Sequence, residues 1–184
     1  DESVSYLNKK IEEIKKNFPH IKIKTAFNKK NSGGCVFAQW QKGLSLATGD
    51  YIWIAEADDS ANTLFLEKAM EFFHKDKDVV LFYTESKRID GDDNITASNC
   101  QDWCDIFKTG RWNEDYINDG VSEIKNYLSN NNTILNVSSV VWKNDSSLNT
   151  IFEEAKDYKI AGDWYIYMRV LEKGKVAFCH EPLN

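Results

Sequence analysis

Apolar residues Val4, Leu7, Ile11, Ile14 and Phe18 recur at helical spacing with Lys and Glu between them, and Pro19 stops the run. Ile21, Ile23 and Thr25 then alternate with Lys22 and Lys24, which predicts a short strand. Asn28 to Gly34 reads as a loop. Val36, Phe37, Trp40, Leu44 and Ala47 mark a second amphipathic helix, with Gly49 as its candidate C-terminal cap. Tyr51-Ile52-Trp53-Ile54 has the look of a buried strand and runs straight into Glu56, Asp58 and Asp59. Thr63 is a candidate N-cap for a helix with Leu64, Leu66, Ala69, Met70 and Phe73 on its inner side. Val79 to Tyr83 is a compact apolar strand.

The second half is less regular. Ile89 to Asn94 reads as a tight turn. Ser98 to Asp119 carries Trp103, Phe107, Trp112 and Tyr116 without a clean period, and is expected to be an insertion covering one side of a sheet. Core burial is the expected place for both tryptophans; the other reading has their aromatic faces line a ligand groove. Ile124, Tyr127 and Leu128 suggest a short helix. Ile134 to Trp142 reads as a strand bearing Asn136 and Ser138. Trp164, Tyr167, Met168 and Leu171 form a helix ended by Gly174, and Lys175 to Phe178 is a closing strand. Strands and helices alternate, so the expected fold class is α/β, with a largely parallel central sheet flanked by helices, as one domain over residues 1–184.

Composition narrows the function classes. The chain has 184 residues, is 42% hydrophobic and 13% aromatic, and contains 6 Trp, which supports a packed core rather than disorder. A formal charge of -6 and the lack of a strongly basic block argue against a nucleic-acid partner. There is no apolar run near the length of a membrane span, and no signal peptide at the start. The expected location is therefore cytoplasmic, with peripheral association at the inner face of the membrane open through regions outside this sequence. Cys100-x-x-x-Cys104 lacks a second pair or nearby His, which disfavours zinc, and reduced thiols are expected. The many Asn and Lys residues are attributed to genome base composition.

The chemistry lies in the acids. A strand that runs apolar residues into carboxylates puts them at its C-terminal end, where open α/β sheets bind ligands. Glu56 and Asp58, two residues apart, are able to address one cation with oxygen ligands. A solvated acidic turn explains the same residues equally well. Asp163, after Gly162, reads by itself as the cap of the helix beginning at Trp164.

The order of motifs breaks that tie. Asn31-x-Gly33-Gly34, then Gly43-Leu44-x-x-Ala47-x-Gly49-Asp50-Tyr51-Ile52, then Glu56-Ala57-Asp58-Asp59 resembles the family 2 glycosyltransferases. Asn136-Val-Ser-Ser139, Gly162-Asp163-Trp164, Gly174-Lys175-Val176-Ala177 and Glu181-Pro182-Leu183 extend the resemblance over nearly the whole chain. It implies a GT-A fold and an inverting enzyme that moves a sugar from a nucleotide-diphosphosugar donor to a saccharide, lipid-linked or other hydroxyl acceptor. It further implies Mn²⁺ or Mg²⁺, held directly by Asp58. Glu56, which stands where the family's DxD motif has its first Asp, is implied near the ribose or on the cation through water. Asp59 would touch the sugar or orient the loop, and Asp1 and Glu2 match a nucleotide-contacting loop. Asp163 matches the family's catalytic base. Bacterial cell-surface polysaccharide synthesis is the implied setting. The family's first strand and helix have no counterpart ahead of Asp1, so the chain is expected to be a piece of a longer protein. The rival readings are a non-catalytic module of the same fold, to which the Glu56 replacement points, and a nucleotidyltransferase.

Overall fold

The computed structural model describes residues 2–28 and 33–184, which form two compact units divided after Val36. The first unit is led by helix α1 (Ser3–Asn17). The expected apolar stripe is present on it, yet none of its residues is buried, and Val4 and Leu7 each keep 45% of their surface exposed. Ile21 to Asn28 forms no strand: alternation alone does not make one, and no partner ladder pairs with this stretch among the described residues. Gly33 and Gly34 have φ of +73° and +81°, left-handed backbone in which glycine is favoured. Asn31, the first residue of that motif, lies outside the described residues, as do Lys29, Lys30, Ser32 and Asp1.

The second unit is built on a five-stranded mixed sheet. Its elements are α2 (Val36–Leu46, all but its first residue), β1 (Tyr51–Trp53), α3 (Phe65–Lys75) and β2 (Val79–Glu85). A small hairpin of β3 (Arg88–Ile89) and β4 (Ile95–Ala97) follows, then β5 (Tyr116–Asp119) and a short α4 (Gly120–Glu123) that runs into a π turn over Ile124–Leu128. Next come β6 (Val140–Lys143), α5 (Leu148–Ala155), α6 (Gly162–Leu171) and β7 (Lys175–Pro182).

The strand order is β1-β6-β2-β7-β5, and only the β2–β7 pair is parallel. This corrects the expected largely parallel sheet. The strands with helical connections, β1, β2 and β7, do run the same way. Strands β6 and β5 enter from irregular segments, need no helical crossover, and slot in antiparallel. The Ser98–Asp119 region therefore supplies an edge strand as well as cover. Of the expected Ile134–Trp142 strand only the end is extended, because Asn136 caps a 3₁₀ turn over Val137–Ser139 through its Oδ1, which accepts from the Ser138 amide at 3.0 Å.

Strand β2 is buried at all seven positions, as expected of a strand covered on both faces. Phe82 and Val141, opposite each other in the ladder, face Phe65, Phe72 and Phe73 of α3. The paired Leu81 and Trp142 point to the opposite face, where Trp142 meets Phe152 of α5 and stacks on Tyr167 of α6. Each such buried aromatic contributes about 1.5–3 kcal/mol over the exposed state. The periodicity reading passes over α5, whose Leu148, Ile151, Phe152 and Ala155 are all buried. Thr63 does not cap α3; Asn62 Oδ1 instead accepts from the Leu64 amide at 2.9 Å. Gly49 has no left-handed φ, so it is not the helix cap expected of it.

Candidate functional site

Strand β1 is short and ends at Trp53, but the segment beyond it is firmly held. The Glu56 amide donates to Ser138 Oγ at 2.9 Å, and the Trp53 indole N–H donates to the Ser138 carbonyl at 2.8 Å. Both bonds reach the 3₁₀ turn that leads into β6, the strand paired with β1. The Asp59 amide closes a turn on the Glu56 carbonyl at 3.3 Å. The acids are thus carried on backbone fixed from two sides.

Glu56, Asp58 and Asp59 each offer a carboxylate oxygen within 4.8 Å of the others. Opposite oxygens on one small divalent cation lie about 4.2 Å apart, so modest side-chain rotation lets the three share an ion, and all-oxygen donors suit Mg²⁺ or Mn²⁺. The residues fit such a cation. Glu56 is half-buried, with Oε1 accepting from the Trp40 indole N–H at 3.3 Å, while Asp58 and Asp59 are exposed. Burial raises the Glu56 pKa; the Trp40 hydrogen bond opposes this, and the charges of Asp58, Asp59 and Asp163 add to it. An accumulation of negative charge is what a divalent ion relieves.

The three acids line a groove of about 580 Å³. Its far wall is the β3–β4 hairpin and the segment around Cys100 to Trp103. The hairpin turn is tied by Asp90, whose Oδ1 accepts from the Asp92 and Asn94 amides at 2.9 Å each. Arg88 reaches across to Asp102 with two bonds of 2.7 and 2.8 Å. Lys87 also lines the groove, beside Asp59.

Asp163 lies in the first turn of α6, where the helix dipole favours a carboxylate. Its Oδ2 accepts from Asn132 Nδ2 at 3.2 Å, so its carboxylate is oriented from another segment. Ala161 precedes α6 with φ +59° and makes no side-chain cap. A Cβ on Gly162 would come within 2.7 Å of the Phe37 ring, so this position admits α2 only as glycine. That contact sets the start of α6, and its Asp163, close enough to Glu56 for their charges to interact.

Glu2 begins α1 in the first unit, where its carbonyl accepts from the Tyr6 amide and from Ser5 Oγ at 3.0 Å each. Asp1 lies outside the described residues. His180 pairs through Nδ1 with Asp115 at 2.7 Å and is not among the clustered acids. Trp112 is buried as expected, but Trp103 keeps 54% of its surface exposed and lines the groove.

The residues missed from sequence are those that hold the acids: Trp40, Asn132, Asn136, Ser138 and Asn184. Asn184 ties several segments together. Its Oδ1 accepts from Asn136 Nδ2 at 2.9 Å and from Ser86 Oγ at 3.1 Å, and its Nδ2 donates to the Ser60 carbonyl at 3.1 Å. The available signal was the Asn136-Val-Ser-Ser139 motif, which carried the resemblance but was not read as part of the site.

The family model described as glycosyl transferase family 2 matches residues 1–128. No curated protein sequence matches the chain.

Proposed function

The chain belongs to glycosyl transferase family 2, and from that premise we propose that it transfers a sugar from a nucleotide-diphosphosugar to a saccharide or other hydroxyl acceptor, inverting the anomeric centre. The observation that supports this best is the cluster of three carboxylates beyond the end of β1, with Asp163 oriented separately by Asn132.

In this reading Asp58, with Asp59 and Glu56 beside it, holds a divalent cation, which when bound supplies positive charge to the departing diphosphate. Glu56 stays against the wall on the Trp40 N–H and serves the ribose or the ion's water shell. Asp163 Oδ2 is engaged by Asn132, which leaves Oδ1 to take the acceptor's proton. As that proton moves, the acceptor oxygen bonds to the anomeric carbon. The carbon–oxygen bond to the diphosphate breaks, and its electron pair leaves with the nucleoside diphosphate. One displacement from the opposite face inverts the configuration. Asp59 lines the groove with the donor and orients the sugar. Polysaccharide synthesis at the inner face of the membrane is the setting we propose, and among the described residues no helix is long and apolar enough to cross one.

The test is release of nucleoside diphosphate from a panel of nucleotide sugars with Mn²⁺ and saccharide acceptors. Wild type is expected to release one of them in step with transfer. Asp163→Asn should lower transfer at least ~10³-fold, on the scale of losing a general base, without changing the melting temperature. Full transfer by Asp163→Asn would remove Asp163 from the role.

A further inference from the structure

We infer that Trp103 is the platform on which the acceptor stacks, and that the acceptor presented to Asp163 is therefore a pyranose saccharide. The inference rests on the glycosyltransferase reading above and adds the class of its second substrate. Trp103 is held through both its indole and its main chain. Its indole N–H donates to the Asn132 carbonyl at 3.0 Å, and its own carbonyl accepts from Asn131 Nδ2 at 3.1 Å. Three residues earlier, the Cys100 amide donates to the buried Glu85 carboxylate at 3.0 Å, which fastens the segment to the end of β2. The side chain nonetheless keeps 54% of its surface exposed and lines the same groove as Glu56, Asp58 and Asp59.

A fixed, half-exposed indole in a polar groove offers one interaction the groove's other residues do not: a flat apolar face. The face of a pyranose ring is a patch of C–H groups with hydroxyls around its edge. It covers an aromatic ring while its hydroxyls turn to polar neighbours. Those neighbours are present, in the Arg88–Asp102 pair beside the indole and in Thr96. A polyprenyl phosphate or a peptide hydroxyl has no comparable face.

The link to catalysis runs through one residue. Asn132 accepts from the Trp103 indole with its main chain and donates to Asp163 Oδ2 with its side chain. Platform and candidate base are thus set from a single position, so a ring stacked on Trp103 lies in fixed register with the group that takes its proton.

The test uses Trp103→Ala, with Trp103→Phe and Trp103→Tyr as conservative partners, each first matched to wild type by melting temperature. In transfer assays the acceptor KM of Trp103→Ala should rise about tenfold or more, the scale of a lost aromatic anchor. Its kcat at saturating acceptor and its donor KM should change less than about threefold, a split that general loosening would not give. Phe and Tyr should restore most of the acceptor KM. A second arm needs no turnover: ligand-observed NMR with cellobiose, maltose, lactose and chitobiose, Mn²⁺ being replaced by Mg²⁺. Wild type should bind at least one through its ring C–H protons, and Trp103→Ala should not. If nucleotide sugars are never cleaved but the disaccharide signal depends on Trp103, the enzymatic reading fails and the platform stands. Equal saccharide binding by wild type and Trp103→Ala overturns the platform. So does transfer to a polyprenyl phosphate, untouched by Trp103→Ala, with no disaccharide bound.

Discussion

Strands β1 and β2 run in the same direction and each is followed or ended by an acid, yet the two acids have opposite surroundings. Glu85, at the end of β2, is buried, and its Oε1 accepts from the Ser86 amide at 2.9 Å and the Cys100 amide at 3.0 Å. Glu56, beyond β1, receives one longer bond, from Trp40 at 3.3 Å, and faces two more carboxylates. A carboxylate whose charge is answered by amides belongs to the architecture; one surrounded by like charge is open to a ligand. Glu123 makes the same point in the interior. It is 1% exposed but meets Arg111 at 2.8 Å and Asn118 at 2.8 Å. Position at a strand end does not separate these acids, but compensation does.

Removing an acid of each kind sharpens the contrast. The largest effect is expected of Glu123→Ala or Asp58→Ala, on different readouts. Asp58→Ala should lower metal-dependent transfer by ~10³-fold or more, which is about 4 kcal/mol at the transition state, and leave thermal unfolding unchanged because Asp58 is exposed. Glu123→Ala should cost about 3–5 kcal/mol in denaturant unfolding by stranding the Arg111 guanidinium among Tyr116, Tyr127 and Trp112. Glu85→Ala should cost less, about 1–3 kcal/mol, for two amides left without their acceptor. An unfolding curve for Glu85→Ala that superimposes on wild type would erase the distinction.

The smallest effect has the sign of an acid disfavoured by burial and by like charge. Burial and neighbouring charges raise the Glu56 pKa above the ordinary 4.5, so ionising it costs the folded state more than the unfolded one. Below 4.5 both states hold the proton and there is no penalty; the penalty grows as pH rises through the raised folded value and then stays constant. Glu56→Gln should therefore melt above wild type in metal-free buffer near neutral pH, with the difference shrinking as the pH is lowered. A divalent cation should raise the wild-type melting temperature and narrow the gap. The reverse order at neutral pH would mean that neither burial nor like charge disfavours the Glu56 carboxylate in the folded state.

Much of this was legible in the sequence where a local rule carries it. The 3.6-residue stripes of α1 and α3 and the continuous apolar run of β2 were found in place, and Glu56, Asp58 and Asp59 stood out as a cluster beyond β1. What failed was non-local. Nothing in Val140–Lys143 says that it slots between β1 and β2, because hydrophobic alternation marks a strand without naming its neighbour. Ile21 to Thr25 shows the converse, alternation with no ladder to join. Around the site, the side chains of Ser138, Asn132 and Asn136 make hydrogen bonds across 82, 31 and 48 residues of chain, distances over which composition carries no signal. The two tryptophans of one segment parted for the same reason. Trp112 found Tyr83 in the interior, its indole N–H donating to the hydroxyl at 3.1 Å, whereas Trp103 found the Asn132 carbonyl at the groove wall.

The most direct test of the open acid cluster is calorimetric titration of Mn²⁺ into the metal-free chain, alone and with a nucleoside diphosphate, for wild type and Asp58→Asn. One ion per chain is expected, tightened by the nucleotide and weakened about tenfold or more in Asp58→Asn. Equal affinity in the two proteins, or no ion bound with the nucleotide present, would contradict a cation site at the end of β1.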